Sequence, residues 1–394
     1  MALSPNTILS PEKRLLVCCA RTRMNSAIAD EIRELVARPL DWNVVLSEAA
    51  DNCVTPLLAK QLAAVAGDII PADVLAALKD GARANAVRCL IFIAELIKIM
   101  DAFSAAGIEA IAYKGPVIAA QAYGDVTLRE FEDLDIVLLQ RDMAKANEIA
   151  TGLGYRARFP WILSGDAGKS LVPGEYNYLN EARRIMIELH TEVTLRHFPE
   201  PPDLDDLRTR LTPVSLSGHV VNTFAPEDML PILCIHGSKD FWMKFSWIAD
   251  VAEFIQALPG LDWNTVVARA DAWRAGRMLH LGLALADDLL DVPLPEEVLT
   301  RVRKDHVALA VAAEIGRVHL TRAPLPESAG WRFRYRRRMV KGNLTGWRYA
   351  LRLATAPAEE DWEMLRLPAP LAPLYVVLRP FRLLRKYRVA RTTS

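Results

Sequence analysis

Two aspartates pose the chemical question. In Asp133-Leu134-Asp135-Ile136-Val137-Leu138-Leu139 they stand two residues apart at the head of an apolar run of strand length, and alternation along a strand turns both to one face. They are about 6–7 Å apart along the backbone, so their oxygens can converge on one Mg2+ or on two neighbouring ions. Oxygen ligands completed by substrate phosphates are that ion's usual surroundings. An isolated Asp-x-Asp is more often a solvated strand entrance, but the preceding stretch argues for chemistry. Ile108 to Tyr113 is a short apolar run, Lys114-Gly115 ends it, and Pro116 opens a helix where its missing N–H costs little. A helix start offers unpaired N–H groups and partial positive charge to phosphate, and Gly115 allows close approach. The stretch reads as a nucleotide-binding βαβ-type core.

A third acid strengthens the case. Arg184 to Val193 alternates strictly, with Ile185, Ile187, Leu189 and Thr191 on one face and Met186, Glu188, His190 and Glu192 on the other. If this strand lies beside the Asp133–Leu139 strand, Glu188 completes a cluster of carboxylates, with His190 further along. An amphipathic edge strand with a wetted polar face is the competing reading, and for His190 and Glu192 the two stand level.

The order Lys114-Gly115, Tyr123-Gly124-Asp125, Arg129, Asp133-x-Asp135 and Glu188-x-His190 resembles the uncharacterised bacterial nucleotidyltransferase family of the DNA polymerase β-like superfamily. Weaker echoes run from Leu15–Arg21 through Pro39–Trp42 and His236…Trp247…Asp250 to Asp361-Trp362…Leu374-Tyr375…Leu378-Arg379-Pro380. The resemblance implies an α+β fold with a polymerase-β-like core, a mixed sheet with helices, embedded between helical segments. It also implies metal-dependent nucleotidyl transfer, with three acids binding two Mg2+ ions (or Mn2+). One ion activates an acceptor hydroxyl and the other neutralises leaving pyrophosphate. Asp133, Asp135 and Glu188 are then the catalytic and metal residues, Lys114, Gly115 and Arg129 the phosphate contacts, and His190, His236 and Asp250 candidates for the cleft wall. Two departures stand out. Pro116 follows Gly115 where the superfamily commonly has serine, which removes a hydroxyl contact, and the gap from Gly115 to Asp133 is long. Arg129 within it either reaches back to phosphate or pairs with Glu130, Glu132 or the two acids.

The positioning elements follow from the rest of the chain. At 394 residues, 52% hydrophobic and 24% charged, it can bury a sizeable core. Helices are expected over 11–40, over Trp42 to Ala66 with a break at Pro56, and over Asp73 to Ala106 with Gly107 as C-cap. Strands are expected near 108–113, 134–139, 154–158 and 184–193, helices at 116–123 and 141–152, and from Phe159 to Gly174 a loop, which suits a surface connection better than a lid that closes over substrate. Helices resume at Pro226, where His236 and Asp240, four apart, suit a local hydrogen bond better than a metal. The expected units are a helical domain (1–106), the transferase core (107–225), a second helical domain (226–325) and a basic, aromatic-rich extension (326–394).

Five scattered cysteines suggest reduced thiols rather than a disulfide framework or zinc site. With no span-length apolar run and no basic-then-apolar start, a cytoplasmic protein is expected. The net charge of zero hides a gradient: residues 331–394 hold 15 Lys/Arg against 4 Asp/Glu, +11, which leaves 33 against 44, −11, for residues 1–330. That segment suits docking on the acidic body first, a membrane surface or phosphate polymer second, and sequence-specific DNA least. The function expected is transfer of a nucleoside monophosphate from an NTP to an unknown acceptor. The alternatives are a non-catalytic nucleotide-binding or scaffold protein, and a phosphoryl or sugar-phosphate tailoring enzyme acting on a peptide or glycan. Acceptor, preferred base and oligomeric state are left open.

Overall fold

A computed structural model describes residues 9–158, 174–194, 198, 200–324, 326, 328–357, 361, 364–365, 367, 371 and 373–389. The loop expected over Phe159 to Gly174 lies outside the described residues as far as 173, as does Trp362 of the tail motif.

Five helices come first: α1 (Pro11–Cys19), α2 (Ser26–Val36), α3 (Trp42–Asp51), α4 (Thr55–Val65) and α5 (Ala72–Ala105). The single helix expected over 11–40 is two, because Asn25 starts α2 afresh by accepting from the Ile28 N–H. The break expected at Pro56 falls ahead of it. Cys53 turns the chain at φ 54°, and Pro56 sits in the first turn of α4, where a proline costs no helix hydrogen bond. The long α5 stops where expected, with Gly107 at φ +72°.

A mixed five-stranded sheet follows in the order β1-β2-β5-β4-β3, made of β1 (Ile111–Tyr113), β2 (Asp133–Val137), β3 (Arg156–Ala157), β4 (Glu175–Asn180) and β5 (Ile185–His190). The expected βαβ unit is corrected here: β1 runs antiparallel to β2, with Tyr113 opposite Asp135. The end of β1 therefore lies beside the start of β2, and the connection leaves and returns at the same end of the sheet. Its helix α6 (Gly115–Ala122) and the 3-10 turn Val126–Leu128 form an excursion rather than a crossover, which brings Lys114 and Gly115 back beside the two aspartates. Strands β2 and β5 are parallel, with Asp135 opposite Glu188.

Strand β4 and a hairpin of β6 (Thr212–Leu216) and β7 (His219–Thr223) are additions to the expected set. Their signals are in the sequence. Tyr176 and Tyr178 alternate with polar residues, and Ser217-Gly218 is a two-residue turn with both residues at positive φ (51° and 85°), the twist that suits a hairpin.

One face of the sheet (Leu134, Ile136, Ile187, Leu189) packs on Phe92, Leu96 and Phe103 of α5 and on Met143 of α7 (Met143–Gly152). The other face turns the acids toward the C-terminal helices: α9 (Pro226–Lys239), after the short α8 (Leu204–Arg208), then α10 (Phe245–Ala257), α11 (Trp263–Ala272), α12 (Gly276–Leu290), α13 (Glu296–Lys304) and α14 (His306–Leu320). Trp242 is wedged among them, wholly buried. A Cβ on Gly237 would lie 2.5 Å from its ring, and one on Gly282 2.5 Å from Cys234 Sγ. Gly237→Ala should thus overpack the core and cost about 1–3 kcal/mol, read as a lower thermal midpoint with unchanged far-ultraviolet dichroism. An unshifted midpoint would mean the indole has room to move.

The extension contains α15 (Ala329–Met339), α16 (Asn343–Thr355) and α17 (Leu374–Val389). The first of these docks on the body: the Trp331 and Tyr335 rings pack at a tilt against Phe241, with Arg332 and Arg336 over the same ring. Asp361 holds Arg379 at 2.9 Å and also Arg382, and Tyr375 is buried beside them. No helix among the described residues is long and apolar enough to cross a membrane.

Candidate active site

Asp133 and Asp135 share the face of β2 that looks away from the α5 layer, and β5 sets Glu188 next to Asp135. They open into a cleft of about 230 Å3 that Lys114, Gly115 and Arg129 also line. Lys114 Nζ lies 2.7 Å from Asp135 Oδ1, and His190 Nε2 lies 3.0 Å from the same oxygen and 3.5 Å from Glu188 Oε2. Lys114 reaches this place from a backbone at φ 54°, a conformation that costs a non-glycine residue free energy and that the surrounding structure must impose.

The charges are unevenly balanced. Asp135 is buried, yet Lys114 and His190 hold its carboxyl well below the ordinary range. Asp133 goes the other way: burial, with Asp135 and Glu188 beside it, raises its carboxyl to about 7, more than Lys114 and Arg129 pull it down. Burial lowers the His190 imidazole, but hydrogen bonds to Asp135 and Glu188 outweigh it and hold the ring at about 9. Across the cleft, burial and the nearby Lys114 and Lys239 keep His236 neutral.

Several expected placements change. Arg129 pairs with none of the acids expected for it: its Nε and Nη2 bind both oxygens of Asp250 at 2.7 and 2.8 Å, and Nη1 reaches the Gly115 and Glu130 carbonyls at 3.5 Å. Glu130 instead accepts from the Thr55 N–H at the start of α4, and Glu132 faces Lys244 at 3.6 Å. Asp250 does not line the cleft. It is 2% exposed and also accepts from the Tyr123 hydroxyl at 2.7 Å, so the pair braces the excursion between β1 and β2 from behind. His236 and Asp240 do not form the expected hydrogen bond. Asp240 lies just past the end of α9 with its carboxylate 4.0 Å from the ring, and His236 packs edge-on against Trp247 instead.

The start of α6 offers phosphate less than its sequence suggests. Pro116 has no N–H, and those of Val117 and Ile118 both turn back to the Lys114 carbonyl. Gly115 N–H is the remaining first-turn donor.

Glu175 and Lys239 join the cleft without having been singled out as site residues. Glu175 stands opposite His190 across β4 and β5, and Lys239 at the end of α9 faces it at 3.6 Å. The alternation of Glu-Tyr-Asn-Tyr would have exposed Glu175; only the folding of α9 over the sheet selects Lys239.

Comparison with known proteins bears on the chemistry. No curated protein matches the chain. The solution structure of the antibiotic-resistance factor ANT(2'')-Ia is similar at 13% identity and a TM-score of 0.33, over 47% of this chain and 92% of that one, a likeness too slight to argue from. The family match is stronger, spanning residues 38–291 and thus everything from α3 to the end of the α12 helix. This chain, an α+β protein whose mixed sheet sets paired aspartates in a cleft lined by both acids and lysines, belongs to the uncharacterised nucleotidyltransferase family.

Proposed function

We propose that the cleft binds an NTP with Mg2+ and transfers its nucleoside monophosphate to an acceptor hydroxyl or phosphate, releasing pyrophosphate. The observation that carries this reading is the meeting of Asp133, Asp135 and Glu188 on adjacent parallel strands, facing Lys114 and the first turn of α6. The donor set fits a divalent ion. Among the described residues, Asp135 and Glu188 bring carboxylate oxygens within 4.8 Å of one another, with the His190 ring beside them, and burial together with these two acids raises the Asp133 carboxyl. Asp133, Asp135 and Glu188 would hold Mg2+, which supplies charge neutralisation at the phosphates.

The chain's own groups then position the reaction. Lys114 Nζ, drawn from Asp135, and Gly115 N–H are the donors for phosphate oxygen. The acceptor oxygen bonds to the α-phosphorus as the bond to the pyrophosphate oxygen breaks, and the acceptor's proton leaves with it. His236, held neutral, and Trp247 wall the opposite side of the cleft. Arg129 is a positioning residue that fixes Gly115 from behind.

The test is pyrophosphate release from each NTP with Mg2+, using fractions of a cell lysate as acceptor source. Release that needs both Mg2+ and one particular fraction supports the reading and isolates the acceptor. Mg2+ with NTP should also raise the thermal midpoint of the wild type but not of Asp135→Asn. Silence in both assays would move the protein to the non-catalytic scaffold reading.

A further inference from the structure

We propose that the C-terminal segment docks the protein on an anionic membrane surface, through apolar stripes that α16 and α17 turn outward beside exposed basic residues. On α16, Leu344, Trp347 and Leu351 are 73, 50 and 58% exposed. On α17, Leu374, Val377 and Phe381 are 46, 57 and 66% exposed. Both sets recur at i, i+3 and i+7, so each forms one stripe along its helix.

These are not core-facing sides left open by chance. Each helix already has a buried side, Tyr349, Ala350 and Leu353 on α16 and Tyr375 on α17, and the two helices pack against each other. The basic residues divide in the same way. Arg379 and Arg382 face inward to Asp361, and Arg336 lies over Phe241. Lys341, Arg348 and Arg352, on and just before α16, are exposed, and the Arg337 guanidinium lies 5.1 Å from the Trp347 ring.

Charge chooses the occupant. Residues 331–394 carry +11 and residues 1–330 carry −11. A second copy seated symmetrically on the stripes would set like charge against like. A phosphate polymer would neutralise the arginines and leave Leu344, Leu351 and Val377 in water. An anionic bilayer interface meets both needs, with headgroups for the basic residues and the acyl boundary for leucine, tryptophan and phenylalanine. The acidic body would be repelled from the same surface, which orients the protein with the segment down.

The full chain should co-sediment with vesicles of phosphatidylglycerol and phosphatidylcholine, and only weakly with phosphatidylcholine alone. A basic residue near such a surface strengthens binding by about fivefold, so Arg348→Glu with Arg352→Glu should lower the partition coefficient by at least about 25-fold. Trp347→Ser with Leu351→Ser and Phe381→Ser should remove binding. Because every substituted side chain is exposed, both variants should keep the wild-type thermal midpoint, which separates lost docking from lost folding. Neither variant touches the cleft, so the result does not depend on transferase activity. Wild type that stays in the supernatant with phosphatidylglycerol vesicles, or variants that sediment as it does, would overturn the proposal. So would a wild-type dimer that the triple substitution splits, since the stripes would then be a self-interface.

Discussion

Asp135→Asn is expected to lower pyrophosphate release by about 10³-fold or more, since ion-borne charge stabilisation at phosphate is worth several kcal/mol. The fold should survive. Asp135 Oδ1 accepts from Lys114 at 2.7 Å and lies 3.0 Å from His190, and an asparagine oxygen in that place can still accept. Asp133→Asn should be equally inactive but differ in stability. Its carboxyl is raised from 3.8 to about 7 in the folded protein, so between those values the folded state binds the extra proton and metal-free stability falls as pH rises. Removing the charge removes that penalty, and at pH 8 without Mg2+ the variant should melt above the wild type. Near-normal turnover by Asp135→Asn would sink the two-aspartate mechanism, while an unshifted Asp133→Asn midpoint would contradict the uncompensated charge.

Breaking the Arg129–Asp250 pair should have the largest effect on stability. Both residues are buried, and Asp250 accepts from Tyr123 as well. Asp250→Ala strands a guanidinium and a phenol hydroxyl at once, at an expected cost of about 3–5 kcal/mol. Arg129→Met should cost a similar amount by leaving the carboxylate unpaired. The double variant Arg129→Met/Asp250→Leu should lose clearly less than the sum, because it leaves no orphaned charge. Urea unfolding of the three variants gives the coupling directly. Single losses below about 1 kcal/mol would show the pair to be solvated and of little weight. Since Arg129 also contacts the Gly115 carbonyl, the single variants should raise KM for NTP more than they lower kcat.

Local signals carried a large share of this protein's organisation. Alternation placed Glu188 and His190 on one face of β5 and paired Asp133 with Asp135 on β2, because a strand's period is a property of its backbone alone. The end of α5 at Gly107 was legible for the same reason, a residue that accepts positive φ at low cost. The hairpin at Ser217-Gly218 and the tyrosine strand β4 were equally local and lay open to the same reading.

Partner choice was decided only by tertiary structure. Nothing near Arg129 in the chain distinguishes Glu130, Glu132 or the paired acids from Asp250, 121 residues away, and the choice falls to whichever carboxylate the packing of α10 against α6 buries within reach. The antiparallel course of β1 was likewise hidden, since a strand–glycine–helix sequence is the same whether its connection crosses the sheet or returns to its starting end. Sequence by itself determined which residues could do chemistry and which faces they share, because those are short-range consequences of backbone geometry. The fold alone decided which groups face the cleft, which brace it from behind and which charges remain uncancelled, because burial and electrostatics depend on atoms that long stretches of chain bring together.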